Sequence, residues 1–262
     1  MTSQEKILKK NDEGKFICVG LDTDINKIPI FLKNDLDGVF KFNQSIIQAT
    51  KDYAAAYKIN FAFYERAGSK GISELEKTVE LIPQDILSIA DAKRGDIGNT
   101  SEMYAKSIYE HFNFDAVTLH PYLGVEALQP FLDRADKGCI ILCRTSNLGA
   151  GEFQNLEIGN KPLWQIVAEK VSGDWNKNEN CMLVVGATYP KEMQKIRSLV
   201  GNMIILVPGI GAQGGSVKEV MNAGLDSDGL GLIINSSRGI IFSDNPREEA
   251  KKLCEEIRKY KN

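Results

Sequence analysis

Apolar runs of strand length recur along the whole chain, each followed by a polar or glycine-containing turn and then a segment of helix length. They span residues 16–22, 55–61, 86–91, 116–120, 139–145, 182–187, 203–208 and 229–235, and a last helix is predicted over 246–260. The runs are continuous rather than alternating, as parallel strands covered on both faces require. Strict alternation of strand and helix leaves a doubly wound sheet or a closed barrel. Eight units in a chain of 262 residues favour a (β/α)₈ TIM barrel in the α/β class, with residues 1–262 forming one domain. The longest irregular stretch, residues 146–161, follows the fifth run and is a candidate lid or binding loop, as is the glycine-rich 209–215.

In such a barrel the working residues stand at the C-terminal ends of the strands. Those positions hold Asp22, then Lys58 and Asn60, then Asp91, Lys93 and Asp96. Ser146 and Asn147 follow the fifth run, Pro208-Gly209-Ile210-Gly211 the seventh, and Ser236-Ser237-Arg238-Gly239 the eighth. Charged and hydrogen-bonding groups therefore converge on one rim.

Composition narrows the classes of function. With 32 basic and 35 acidic residues the net charge is −3, and no basic stripe is interleaved with aromatics, so no nucleic-acid partner is expected. The Lys-rich ends (Lys6, Lys9 and Lys10; Lys251, Lys252, Lys259 and Lys261) read as solvated helix faces. No apolar stretch is long enough to span a bilayer, and the first residues lack a signal-peptide core, so a cytoplasmic protein without a membrane partner is expected. The five cysteines read as buried, reduced thiols. Only two histidines are present, His111 and His120, so Asp and Glu would have to supply most ligands of any metal. His111 reads as a surface residue; His120, at a strand end, reads either as catalytic or as part of a positioned loop.

The sharpest chemical signal is Asp91-Ala92-Lys93-Arg94-Gly95-Asp96. On an extended segment Asp91 and Lys93 point to one side, and Asp96 enters from the turn beyond. A lysine between carboxylates stays protonated, which makes it a poor Schiff-base nucleophile and a suitable acid for a very basic carbanion. Alone, the pattern reads better as a rim ion-pair cluster of little worth to stability; its place straight after a strand reverses that order. Lys58 lies inside an apolar run, where an ammonium is costly unless paired, and Asp91 or Asp22 is the natural partner. The glycines of 209–215 free backbone N–H groups to approach an anion, and Arg238 with Gly239 follows the eighth run. Barrels most often hold phosphate at these two loops.

The segment Asp91-Ala92-Lys93-Arg94-Gly95-Asp96-Ile97-Gly98-Asn99-Thr100 resembles the signature of the orotidine 5′-phosphate decarboxylase family, in its type 2 form. Val19-Gly20-Leu21-Asp22, Lys58-Ile59-Asn60, Arg144-Thr145-Ser146-Asn147, Val207-Pro208-Gly209-Ile210-Gly211-Ala212-Gln213 and Ser237-Arg238-Gly239 fall in the family's order. The resemblance spans the chain and implies decarboxylation of orotidine 5′-monophosphate to UMP, with no metal and no cofactor. It implies that Lys93 protonates C6 of the pyrimidine, that Asp91 sits against the departing carboxylate, and that Lys58 and Asp96 complete the charged array. It further implies that Asp22 and Lys58 hold ribose hydroxyls and Ser146 bonds the ring. Gln213 would bridge ring and phosphate, and Arg238 with nearby N–H groups would grip the phosphate. Asn60, Pro208 and Gly239 join the substrate-binding set. A homodimer is implied, in which Asp96 and Thr100 reach the partner's site. His120 departs from the Asn expected before Pro121.

Two other readings compete. A sugar-phosphate lyase of the same superfamily, such as a hexulose-phosphate synthase or keto-gulonate-phosphate decarboxylase, uses a similar D-x-K-x-x-D with Mg²⁺ but carries an acidic residue on the second strand, where Lys58 stands here. A non-catalytic phosphate-ligand-binding barrel would be expected to have lost at least one of Asp91, Lys93 and Asp96.

Overall fold

Each apolar run becomes one strand of a closed, all-parallel barrel in the computed structural model, which describes residues 1–211 and 214–261. The strands are β1 (Ile17–Gly20), β2 (Ala54–Asn60), β3 (Leu87–Arg94), β4 (Ala116–Leu119), β5 (Gly138–Arg144), β6 (Cys181–Val185), β7 (Ile205–Val207) and β8 (Leu232–Ser236). Neighbours follow chain order round the barrel, and β8 closes it by pairing with β1, Ile17 opposite Ile234. Observed strand ends lie within a few residues of the predicted ones, because continuous Val, Ile and Leu pay the cost of burying a strand on both faces.

Successive residues of a strand face opposite ways, and that pleat divides the core in two. Cys18, Ala56, Ile89, Ile140, Met182, Leu206 and Ile233 fill the barrel interior. Their neighbours Ile17, Val19, Ile141, Leu183 and Ile234 pack outward beneath the helices. Two helices bound the whole. Pro246–Arg258 closes the ring, ending two residues before the predicted boundary. Ser3–Asp12, opened by a capping box between Thr2 and Glu5, lays Ile7 into the bottom of the barrel interior.

Two expectations need correction. The N-terminal lysines are not all solvated: Lys10 is buried with its ammonium 2.5 Å from Asp85, and Lys6 lies 2.7 Å from Asp115. The helix that plugs the barrel carries them against carboxylates at its floor. Lys9, Lys251, Lys252 and Lys259 are exposed as expected. Residues 146–161 are not irregular throughout either. They contain a 3₁₀ turn (Leu148–Ala150), a short helix (Gly151–Gln154) and a two-residue antiparallel pairing of Glu157–Ile158 with Lys161–Pro162. These are single-turn elements too short to print a period on the sequence. All five cysteines are buried and free, and no helix among the described residues is long and apolar enough to cross a membrane.

Candidate functional site

A cavity of about 570 Å³ opens at the C-terminal rim. The predicted Asp22, Lys58, Asn60, Asp91, Lys93, Ser146, Pro208, Arg238 and Gly239 all line it. They arrive from β1, β2, β3 and the loops after β5, β7 and β8. Parallel strands in register put their ends at one level: Gly20 stands opposite Lys58, and Asn60 opposite Asp91.

At its floor lies a charge relay of close contacts. Lys58 Nζ is 2.8 Å from Asp91 Oδ2 and 3.3 Å from Asp22 Oδ1, and Lys93 Nζ is 2.5 Å from Asp91 Oδ1. Burial alone would raise the Asp91 pKa, but the two ammonium groups outweigh it and bring it down to about 2. Burial would likewise lower the pKa of Lys58, and Asp91 and Asp22 reverse that, holding it above its ordinary value. Lys58 is therefore a fixed cation, with two of its three donors directed at carboxylates. Lys93 differs: its side chain is half exposed and reaches into the cavity.

The local backbone explains how Lys93 gets there. Between β3 and β4 the register slips, Ala90 pairing with Val117 but Arg94 with Leu119, so β3 bulges across the segment 91–93. Lys93 sits at φ +46°, a left-handed conformation that costs a non-glycine residue about 1–2 kcal/mol. The lysine meets Asp91 because the bulge re-aims it, not because a regular pleat puts both on one side. Thr118 of β4 holds the bulge, its hydroxyl accepting from the Lys93 N–H at 3.0 Å and donating to Asp91 Oδ1 at 3.2 Å.

Opposite the charged floor, the loop after β7 folds back on itself, Gly215 N–H donating to the Gly209 carbonyl at 3.1 Å. Gly209 takes φ +103°, which only glycine adopts without strain. Arg238 and Gly239 open the short helix Arg238–Ile241, so their N–H groups belong to its first turn, and the exposed Arg238 lines the cavity. Gln213 lies outside the described residues. Together the two loops make a concave, cationic corner suited to a dianion.

Asp96 and Thr100 are not brought to this cavity within one chain. Asp96 accepts from its neighbour's N–H, Ile97, at 2.8 Å, and Thr100 is exposed on the helix Gly98–Lys106. His120 does not line the cavity; its ring packs against Gly95, where an added Cβ would fall 2.6 Å from Nε2. His111 is exposed beside Glu76. Sequence reasoning missed Thr118, Gln154 and Asn235, which also line the cavity. Thr118 and Asn235 carried a signal, each being a polar residue inside an apolar strand; Gln154 carried none.

The chain matches the family model described as "Orotidine 5′-phosphate decarboxylase / HUMPS family" over residues 15–253. It is 49% identical over 251 residues to an orotidine 5′-phosphate decarboxylase of Christiangramia forsetii, covering 94% of this chain and 90% of that protein. A relative of the same name from Flavobacterium johnsoniae is 47% identical, covering 98% and 97% of the two chains. Among solved structures, the OMP decarboxylase of Leishmania donovani superposes with a TM-score of 0.92 at 39% identity, covering 100% of this chain and 99% of its own.

Proposed function

The chain belongs to the orotidine 5′-phosphate decarboxylase / HUMPS family, and we propose that Lys93 is the acid at the centre of its chemistry. Its activity is the decarboxylation of orotidine 5′-monophosphate to UMP and CO₂, in pyrimidine biosynthesis. The likeness to the Leishmania enzyme is consistent with the type 2 form.

Breaking the bond from C6 to the carboxyl carbon leaves an electron pair in the ring plane, where no π-system delocalises it. Stabilisation must then come from charge already in place. The Lys93 ammonium supplies that charge and then transfers its proton to C6, while CO₂ departs; solvent later restores the proton to the amine. Asp91, fully ionised at neutral pH and flanked by Lys58 and Lys93, stands where the substrate carboxylate would crowd it, so losing CO₂ relieves repulsion. Asp22 and Lys58 would hold ribose hydroxyls beside Asn60, Ser146 the ring, and Arg238 with the N–H groups near Pro208 and Gly239 the phosphate. Binding energy from that remote phosphate is available at the reacting carbon. The observation that carries the reading is Asp91 clasped between Lys58 and Lys93 at a rim that also carries a cationic, glycine-rich corner.

The proposed mechanism routes no step through a metal: Lys58 already occupies the carboxylates of Asp91 and Asp22. The absorbance change of orotidine 5′-monophosphate in the presence of EDTA tests this, with full turnover expected. Activity lost to EDTA and restored by Mg²⁺ would move the chemistry to the metal-dependent lyase.

We also propose a homodimer in which Asp96 and Thr100 complete the partner's site. Supporting this, Ile97 and Met103, in the same segment as Asp96 and Thr100, are both more than half exposed.

A further inference from the structure

We infer that Gln154 is a positioning residue for pyrimidine recognition, acting by fixing the Thr145 backbone before Ser146 and, through the Thr145 hydroxyl, the Asn147 side chain after it; this rests on the reading of Ser146 as the ring contact. The Gln154 carboxamide closes the segment after β5 upon itself. Its Oε1 accepts from the Thr145 N–H at 2.9 Å and from Arg144 Nη1 at 3.3 Å, and its Nε2 donates to Thr145 Oγ1 at 2.8 Å. The Thr145 hydroxyl in turn donates to Asn147 Oδ1 at 2.7 Å. Ser146 lies between two residues whose polar groups are committed to one network.

The network has a rigid base. Arg144 is 3% exposed, and its guanidinium carbon lies 3.6 Å from the centre of the Tyr189 ring, so stacking sets the direction of Nη1. The Arg144 carbonyl accepts from the Gly186 N–H at 2.7 Å. Gly186 presses directly beneath the serine: a Cβ added there would fall 2.7 Å from Ser146 Cβ. Ser146 is thus held from below by the end of β6 and from the side by Gln154.

Apolar packing does not do this work. Leu148 is fully exposed and Phe153 about two-thirds exposed, so the two large apolar side chains between Thr145 and Gln154 add little to the segment's cohesion. Removing the Gln154 hydrogen bonds would free Ser146 to sample positions from which it cannot meet the ring, a loss of preorganisation. Contacts to ribose and phosphate come from other strands and would be untouched.

Calorimetric titration of the full-length protein with UMP and with ribose 5-phosphate separates these effects. Gln154→Met keeps the length of the side chain and deletes its hydrogen bonds; UMP should bind about tenfold more weakly, the worth of one to two net hydrogen bonds, and ribose 5-phosphate unchanged. Gln154→Glu retains the acceptors for Thr145 and Arg144 and should recover part of the loss. Because Gln154 acts through Ser146, the double variant Gln154→Met with Ser146→Ala should bind UMP no worse than Ser146→Ala alone. Unchanged UMP affinity in Gln154→Met, equal losses for both ligands, or additive losses in the double variant would each overturn the inference. If Ser146→Ala alone binds UMP as the wild type does, the reading of Ser146 fails first and the inference falls with it.

Discussion

Asp91 is the residue on which the charges of the site meet, and its environment gives it a measurable signature in acid. Its pKa is near 2 in the folded protein against 3.8 ordinarily, because the Lys58 and Lys93 ammonium groups more than offset the effect of burial. A depressed carboxyl pKa contributes stability that is complete above the unfolded value and disappears as pH falls through the folded one. The contribution of Asp91 is therefore full above about pH 4 and lost toward pH 2, on the order of 2 kcal/mol. Urea titrations from pH 5 to pH 2 should show the wild type losing about that much more stability than Asp91→Asn; parallel curves would deny Asp91 the lowered pKa. Lys93→Ala should separate function from folding. Lys93 is half exposed and Asp91 keeps Lys58, so the melting temperature should change little, while turnover falls by roughly a thousandfold or more. Wild-type turnover would remove Lys93 from the proposed role. Asp91, Lys93 and Lys58 were legible in the sequence because charge at the end of an apolar run is costly and so needs a reason. The bulge that aims Lys93 was not legible, since it arises from a register slip against β4 that no local residue announces.

At the scale of elements, the eight strands were legible because burial on both faces demands uninterrupted apolar runs, whereas the short pieces within 146–161 have no buried face to impose a period. What joins the elements at the floor of the barrel was also hidden. Arg197 is a half-buried residue whose pKa burial lowers to about 10 despite Asp226 nearby. It donates to the carbonyls of Gly201, Met203, Gly224 and Gly231, tying the ends of the helices Pro190–Val200 and Val217–Gly224 to the residues that lead into β7 and β8. Arg197→Met would leave several carbonyls without their donor in a partly buried site, and should destabilise the fold by about 2 kcal/mol in denaturant titrations. A loss below about 1 kcal/mol would show that water replaces the guanidinium freely. The loops after β7 and β8 lie at the opposite end, and there the change expected is functional. Arg238→Ala should raise KM and lower kcat together, because phosphate binding energy is used in the transition state. If wild type and variant treated a substrate without its phosphate alike, and as fast as the full substrate, the phosphate corner would be misplaced.

At the scale of the molecule, one chain gathers most of the proposed site but leaves Asp96 and Thr100 outside the cavity, in the segment that exposes Ile97 and Met103. Both leave β3 through Gly95, a small residue packed on His120, so the chain parts from the cavity immediately after Lys93. A second copy related by a twofold axis could return Asp96 to a cavity containing Lys93. Lys93→Ala and Asp96→Ala, each nearly inactive as a homodimer, test this when their subunits are exchanged. In a mixed dimer with shared sites, one site carries both lesions and the other carries neither. Random mixing at equal concentration makes about half of the dimers mixed, so activity should recover to roughly a quarter of wild type. If Asp96 serves its own subunit, every site retains one lesion and mixing restores nothing. Subunit exchange is verified separately, by mass spectrometry of differently labelled chains. Activity that stays flat after that verification would sink the shared site while leaving the decarboxylase chemistry of Lys58, Asp91 and Lys93 intact.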